Sequence, residues 1–367
     1  MKRVLLLGDY SGFNKNLKKG LEELGCNVTL FSNGDYWKKI SGGDDILYNI
    51  SSDRLINKFN DRIIQPIINR KRFYGYDIVQ SIHEVVFEPY INSLMLNTIK
   101  ERNGQLFINK CGNSVTVYRA WKAGKLGYYI FDGNPDKYKR YTSNRISDIL
   151  ARKSEDYVDK IADGIVPMGY EYAVGISGYR NRKPTIAQPI DLSELDYSPN
   201  IVKDRIVFYH GITRSADKGS DYIQKAFEII QRKYPNDVKM IIADKMPYDK
   251  YIETIKKANV IVDDCKGLGW GMNSCIAMAL GRLAMSHATR ESYEEFGLRE
   301  TPIFCITHDV NQIVSQIESI IEKRNSIEEM GFKSREFVEN NHDCIKVAEK
   351  YIKVWCNEDI KINLNEL

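Results

Sequence analysis

The sequence predicts an α/β protein made of two doubly wound parallel-sheet domains, and three observations carry that prediction. The chain has 367 residues, 43% hydrophobic and 28% charged, enough for two cores of ordinary size. Short β-branched or leucine-rich runs alternate with amphipathic helical stretches from end to end, the pattern of βαβ units. A tract rich in Pro, Asn and charge (RNRKPTIAQPIDLSELDYSPN, within 180–203) divides the alternation into two series.

In the first series Lys2–Leu7 reads as a buried strand, Gly8-Asp9-Tyr10-Ser11-Gly12 as a turn, the stretch to Leu24 as a helix and Asn27–Phe31 as the next strand. This βαβ opening implies a parallel sheet. Tyr76–Ile82 is a further strand ending at His83-Glu84. A helix over about Pro89–Arg102 leads to the strand Gln105–Asn109, and a long helix, about Arg145–Ile161, precedes Gly164–Pro167. In the second series Arg205–Tyr209 is a strand, His210–Lys218 a polar loop and Gly219–Tyr234 a helix. Val238–Ala243 and Tyr248–Lys257 repeat the pattern, and Val260–Val262, Leu283–Ser286 and Ile303–Ile306 supply later strands. Helices over about Val310–Lys323 and Cys344–Trp355 close the chain.

The totals exclude several classes. A formal charge of +4 is too small to imply a nucleic-acid partner. No window approaches 18 apolar residues, and MKRVLLLGDYSG has too short an apolar run for a signal peptide. The 7 cysteines are scattered without a CxxC pair and the 5 histidines lie far apart. We therefore expect reduced thiols in a cytoplasm and no metal site.

The stretch Ala258–Gly281 (ANVIVDDCKGLGWGMNSCIAMALG) concentrates the chemistry. A buried strand ends at Asp263-Asp264, a turn follows with Gly267, Gly269 and Gly271, and a small, apolar helix begins near Ser274. Such a turn brings backbone N–H groups and a helix N-terminus to a phosphate. It also serves as a tight connection whose glycines are needed only for positive φ. The residues alone leave both readings open.

With these motifs in place, the chain resembles the GT-B glycosyltransferases, specifically the large retaining family 4. The strand and loop RIVFYHGITRSADKG (Arg205–Gly219) is similar to that family's strand followed by a glycine, an arginine and a Lys-Gly pair. Ala258–Gly281 aligns without a gap to its glycine-rich signature, and His83 and Gln188-Pro189-Ile190-Asp191 sit where the family has equivalents. The turn Gly-Met-Asn and the loop His-Gly-Ile-Thr-Arg look like enzymes of bacterial surface-polysaccharide synthesis. One departure matters: the two signature glutamates fall on Leu268 and Ile276, which leaves the donor sugar and ribose contacts without their carboxylates.

The resemblance implies a GT-B architecture, two Rossmann-like domains with an interdomain cleft. An acceptor-binding domain is expected over 1–195, a nucleotide-sugar donor domain over 196–340, and a helix within 341–367 returning to the first domain. Donor contacts are expected from Gly211, Arg214, Lys218, Met246, Pro247, Asp264, Gly269, Gly271, Met272, Asn273 and Ser274. Two cations, Arg214 and Lys218, would stabilise the charge developing on a diphosphate leaving group without a metal. Acceptor contacts are expected from Asp9, Tyr10, Ser11, Gly12 and Asn113, although Ser11 or Asn14 also suits a helix cap. His83 and Glu84 are the catalytic candidates: a base at that rim would suit an inverting enzyme, whereas in a retaining one they would orient substrate. Trp270 reads as core before it reads as a sugar platform.

Arg54, Lys58 and Arg62 recur every four residues, Arg70-Lys71-Arg72 follow, and Ile56, Phe59, Ile63 and Ile67 form one apolar face. A basic amphipathic helix of this kind lies on an anionic membrane or packs its apolar face on its own sheet. Tyr138–Tyr141 forms a second basic, aromatic patch, otherwise an exposed loop. The expectation is a cytoplasmic glycosyltransferase, retaining and metal-independent, with peripheral contact at the inner membrane face as one of the two readings of the basic helix. It would use a nucleotide-diphosphate sugar as substrate rather than any cofactor, and a glycan or lipid-linked glycan as acceptor. The rivals are a catalytically degenerate GT-B binding protein and a nucleotide-sugar epimerase on the same architecture. A NAD-linked enzyme is disfavoured, since GDYSG is not GxGxxG.

Overall fold

The computed structural model describes residues 1–34, 42–48, 55–112, 114–212, 218–244 and 248–358, apart from the side chains of 55, 56 and 248. It divides into two units. Among the described residues, unit 1 comprises 1–126, 135–189 and 344–358, and unit 2 comprises 127–134 and 190–343. The chain crosses between them at Pro189/Ile190 and Asp343/Cys344, and residues 127–134 group with unit 2, which the sequence pattern does not mark.

Unit 1 carries five parallel strands, β1 (Arg3–Leu7), β2 (Asn27–Phe31), β3 (Ile78–Ser81), β4 (Gln105–Lys110) and β5 (Gly164–Pro167), in the order β2-β1-β3-β4-β5. Val4 to Leu7 are fully buried, as expected of a parallel sheet covered on both faces, which is why these strands read as unbroken apolar runs. The covering helices include α1 (Phe13–Glu23), α2 (Leu55–Phe59), α3 (Gln65–Ile68), α4 (Asn92–Glu101), α5 (Val115–Lys122), α6 (Pro135–Thr142), α7 (Ile146–Ile161) and α8 (Tyr170–Gly175). A π-helical turn, Asn60–Ile64, joins α2 to α3. The extra residue rotates the face, so Ile63 and Ile67 pack on the core while Phe59 is 57% exposed. The last helix, α15 (Cys344–Trp355), lies on α1. Gly20 permits this: a Cβ there would stand 2.0 Å from the Cys344 carbonyl oxygen.

Unit 2 carries β6 (Ile206–Ile212), β7 (Val238–Asp244), β8 (Val260–Val262), β9 (Leu283–Ser286) and β10 (Phe304–Cys305), all parallel, in the order β10-β9-β8-β6-β7. Its helices are α9 (Ser220–Lys233), α10 (Tyr248–Lys257), α11 (Met272–Ala279), α12 (Arg290–Glu294), α13 (Val310–Glu322) and α14 (Ile327–Asn341). Ile223, Phe227, Ile313 and Ile317 cover one face of the sheet, and Ala277, Met278, Trp270 and Val338 the other. Trp270 is 4% exposed, so it is core. The sequence reading marks none of α5, α8, α12 and α14, and at 138–141, read as a basic aromatic patch or an exposed loop, the structure has α6.

Each sheet reverses direction once. In unit 1 the chain runs from β1 to β2 on one side and returns to β3 on the other; in unit 2 it does the same from β6 to β7 and back to β8. Loops leaving such a pair diverge and open a crevice at the strand C-termini, where ligands of open α/β sheets bind. Among the described residues no helix is long and apolar enough to cross a membrane.

Candidate functional site

At the reversal in unit 2 the loop returning from β6 meets the loop leaving β8. Lys218 Nζ ion-pairs with Asp263, whose carboxylate also accepts Asn273 Nδ2 at 2.8 Å and Ser274 Oγ at 3.0 Å. Asp263 is 3% exposed. Burial pushes its carboxyl upward, but the Lys218 charge and the Asn273 and Ser274 donors hold it below the ordinary value. Three of the residues expected to bind donor thus converge on one carboxylate. Lys218 enters the site as half of an ion pair, and Asp263 is the hub that orients it.

Local conformation explains the convergence. Gly219 is left-handed (φ 69°), and a Cβ there would stand 2.4 Å from Cys265 Sγ; only glycine lets the two loops touch, and Cys265 N–H donates to the Lys218 carbonyl at 3.1 Å. His210, fully buried, ties the same elements: its Nδ1 meets the Val262 carbonyl and its Nε2 meets Ser220 Oγ, both at 2.8 Å. A carbonyl only accepts, so Nδ1 carries the proton and Nε2 accepts from Ser220. Burial lowers the His210 pKa and keeps the ring neutral. Asp264 points away from the hub. It accepts the N–H groups of Lys266 and Gly267, both at 2.8 Å, and shapes the turn. Burial and the neighbouring Asp263 push its pKa up to about 6.

The turn then enters α11. Its N-cap, Gly271, supplies no side-chain hydrogen bond, so the N–H groups of Met272, Asn273 and Ser274 start the helix uncapped, an arrangement favourable to an anion. Gly269 and Gly271 settle one alternative left by the sequence. Neither has positive φ, and a Cβ at either would meet nothing within 4 Å. Backbone strain and protein packing therefore do not require glycine there, and the space over the turn is open. Trp270 anchors the turn from below, its Nε1 donating to His342 Nε2 at 3.2 Å. Leu268 is 8% exposed and Ile276 packs on the core, so the signature positions hold apolar packing. Gly211 lies within β6. Arg214, Met246 and Pro247 fall outside the described residues.

At the reversal in unit 1, Asp9 Oδ1 accepts the Asn14 N–H at 2.8 Å. The cap of α1 is therefore made by Asp9: Gly12 occupies the N-cap, left-handed and without a side-chain bond, while Ser11 stands at φ 55°. Asp9 and Tyr10 line a cavity of about 210 Å³ with Asn33, Tyr48 and Glu88. Asn113 falls outside the described residues, as does Arg54 of the basic helix.

His83 and Glu84 follow β3 but turn inward. His83 Nδ1 accepts the Val85 N–H at 3.0 Å, so Nε2 carries the proton, and it stands 3.4 Å from Glu84 Oε2. With Nδ1 occupied as an acceptor and Nε2 protonated, the neutral ring has no spare lone pair to act as a base, and burial lowers its pKa further. Glu84 is fully buried against Lys110, which also binds Asp159 at 2.7 Å. Burial raises Glu84, but the Lys110 charge brings it below its ordinary value. Asp159, pushed by burial and by the Glu84 charge, rises to about 7, and so does Glu155 for the same reasons. Glu155 accepts the Val115 N–H at 2.6 Å and Arg140 at 2.6 Å, which removes Arg140 from the expected basic patch. The geometry makes Glu84 a positioning group under His83. Lys110, Glu155 and Asp159 are absent from the sequence reading; the available signals are a lysine ending the buried run of β4 and two acids four apart on the buried face of α7.

No family model matches the chain, and no curated protein matches it in sequence. Solved structures do match in fold. HepE of Anabaena, solved with UDP and glucose, is 12% identical, with a TM-score of 0.61 over 97% of this chain and 100% of that one. An alpha-glucosyltransferase solved with UDP-glucose and DNA containing an abasic site is 12% identical, with a TM-score of 0.59 over 97% and 99%. The UDP-GlcNAc 2-epimerase of Neisseria meningitidis, bound to UDP-GlcNAc, is 11% identical, with a TM-score of 0.57 over 98% and 100%. The chain has the α/β GT-B fold, two doubly wound Rossmann-like domains. At these identities the likeness is one of fold, which glycosyl transfer and epimerisation share.

Proposed function

We propose that the chain is a glycosyltransferase taking a nucleotide-diphosphate sugar in unit 2 and a glycan acceptor in unit 1. The observation that carries this reading is the convergence of Lys218, Asn273 and Ser274 on Asp263 at the sheet reversal, beside an uncapped helix N-terminus and a glycine turn with open space above it. A diphosphate seated there meets backbone N–H groups, a helix dipole and one ammonium, which together stabilise a leaving group as its charge develops. Neighbours of the same fold hold UDP or a UDP-sugar, in keeping with such a ligand. The finer proposal follows the family 4 resemblance: retention, no metal, and a lipid-linked acceptor in bacterial cell-surface polysaccharide synthesis such as lipopolysaccharide. Retention suits His83 and Glu84, since a locked imidazole and a buried carboxylate favour orientation over proton abstraction. Attachment to the cytoplasmic membrane face finds support in Phe59 and Ile68, 57% and 62% exposed, with Arg70 and Lys71 exposed just beyond.

The test is a thermal-shift series with UDP, GDP, CDP, ADP, dTDP and NAD without added metal. At 100 times its Kd a ligand adds roughly 2.7 kcal/mol. The expected result is stabilisation by one diphosphate that disappears in Lys218→Ala. A folded protein indifferent to all of them would overturn the reading. A second reading, a binding protein without transfer, is favoured by the apolar residues at 268 and 276 and by the neutralisation of Lys218 by Asp263. Turnover of the matching nucleotide sugar with glycan acceptors separates the two.

A further inference from the structure

Trp270 stands between Gly269 and Gly271 in the turn that enters α11, and its indole reaches a residue 72 positions further along the chain. Resting on the reading of that turn as a diphosphate seat, we propose that His342 is a positioning residue: it couples an anion on the turn to the pairing of the two segments by which the chain enters and leaves 190–343.

His342 is fully buried and follows the last residue of α14. Its ring and its backbone serve different neighbours. An indole N–H only donates, so His342 Nε2, which meets Trp270 Nε1 at 3.2 Å, is the bare nitrogen and the neutral ring carries its proton on Nδ1. Nδ1 lies 3.5 Å from Cys275 Sγ, in α11. One ring thus touches both the turn and the helix whose N-terminus would receive the anion. On the backbone side, the His342 N–H donates to the Val338 carbonyl at 2.8 Å, and the His342 carbonyl accepts the Ile190 N–H at 2.7 Å. Ile190 and Asp343 pair in a short parallel bridge. These are the residues at which the chain arrives in unit 2 from Pro189 and departs for Cys344.

The coupling follows from what each part does alone. Gly269 and Gly271 give the backbone freedom on both sides of Trp270, and no side chain caps α11. An anion on the N–H groups of Met272, Asn273 and Ser274 removes that freedom and fixes the indole against His342. The rings of Phe296 and Phe337 stand 5.1 and 6.2 Å from the indole, so Trp270 moves as part of a packed set and carries its N–H with it. Withdrawing that N–H from a buried nitrogen costs more than making the bond gains. Two arrangements result. In the latched one the Trp270–His342 and Ile190–His342 bonds are both made; in the open one the Ile190 N–H exchanges with water. A ligand that orders the turn favours the first, and by reciprocity the latched crossing favours the ligand.

The experiment is residue-resolved hydrogen exchange on the full chain, with inorganic pyrophosphate, the part common to all nucleoside diphosphates, as the probe. The reporter is the Ile190 N–H. The reference is the Asn259 N–H, which donates to the Val207 carbonyl at 2.8 Å beside β8 and registers any change in overall stability. In the native protein pyrophosphate should slow Ile190 at least about threefold more than Asn259. Trp270→Phe keeps an aromatic ring and removes the N–H. Without ligand it should speed Ile190 at least about threefold relative to Asn259, and pyrophosphate should no longer slow Ile190 beyond Asn259. His342→Gln places an amide oxygen near the position of Nε2 and should keep the native response; His342→Leu should lose it. Equal ligand-free exchange at Ile190 in the native and Trp270→Phe proteins overturns the proposal. So does a pyrophosphate response at Ile190 shared by the native, Trp270→Phe and His342→Leu proteins, or no selective response in a native protein whose melting temperature pyrophosphate raises. If neither pyrophosphate nor any nucleoside diphosphate binds, the phosphate reading of the turn falls and takes the anion with it, and faster Ile190 exchange in ligand-free Trp270→Phe then upholds the link from Trp270 through His342 by itself.

Discussion

Lys110→Met tests whether the buried charges under His83 are held by that one ammonium. Lys110, Glu84 and Asp159 have side chains at most 1% exposed, so no water replaces the lost cation, and methionine fills the space of the straight chain. Asp159 already titrates near 7 and becomes neutral at little cost. Glu84 is the expensive group. Without Lys110 it must be protonated to stay buried, against an ordinary value of 4.5. At pH 7.5 that is three pH units at about 1.4 kcal/mol each, roughly 4 kcal/mol, in line with the roughly 3–5 kcal/mol cost of breaking a buried pair. At pH 5 the same accounting leaves about 1 kcal/mol. Urea unfolding followed by the fluorescence of Trp355, buried in unit 1, reads both values. A loss under 1 kcal/mol at pH 7.5 refutes the reasoning, as does a loss of equal size at both pH values; either means that Glu84 reaches water or finds a second cation.

Two further predictions address the charges and the turn. Asp159 is held at about 7, so between its ordinary 3.8 and that value the folded state binds more protons than the unfolded chain, and its contribution is present at low pH and lost as pH rises through 7. His83, His210 and His287, all lowered by burial, act in the opposite sense below 6.5, so the comparison must be a difference: the stability of Asp159→Asn relative to native should climb by up to about 1.4 kcal/mol per pH unit from pH 5 to 7, and a flat difference curve rejects the assignment. Gly271→Ala should leave the melting temperature nearly unchanged, because a Cβ there has open space and φ is −113°, yet weaken UDP at least about tenfold by standing where the diphosphate approaches; a variant that loses stability but keeps UDP affinity identifies a packing turn.

Much of this fold was legible because a parallel sheet covered on both faces leaves an unbroken apolar trace. Asn27–Phe31, Gly164–Pro167, Val260–Val262 and Leu283–Ser286 have the expected bounds, and strong alternation with helices suffices to predict two doubly wound units. The helices that escaped are of other kinds. α8 is six residues long, too short for a period to show. In the basic helix the π-helical turn breaks the 3.6-residue pattern, so Phe59, grouped with Ile63 and Ile67 by spacing, ends exposed. Residues 127–134 group with unit 2 although unit 1 residues flank them, and no local composition marks a segment whose place is decided by distant partners such as His308, on which Tyr128 stacks at 3.5 Å.

The site was legible by type and illegible by pairing. Spacing nominates Lys218, Asn273 and Ser274 separately; what it cannot contain is that their donors end on one carboxylate, since Lys218 and Asp263 are 45 residues apart and meet only because the sheet reverses between β6 and β8. Two acids at the end of a buried strand look equivalent in sequence, yet Asp263 meets Lys218, Asn273 and Ser274 while Asp264 closes the turn behind it, an alternation that follows from the pleat continuing past β8. The same logic turns Glu84 from a base at the rim into a buried partner of Lys110 while its neighbour His83 stays beside the Tyr10 ring, 6.2 Å away.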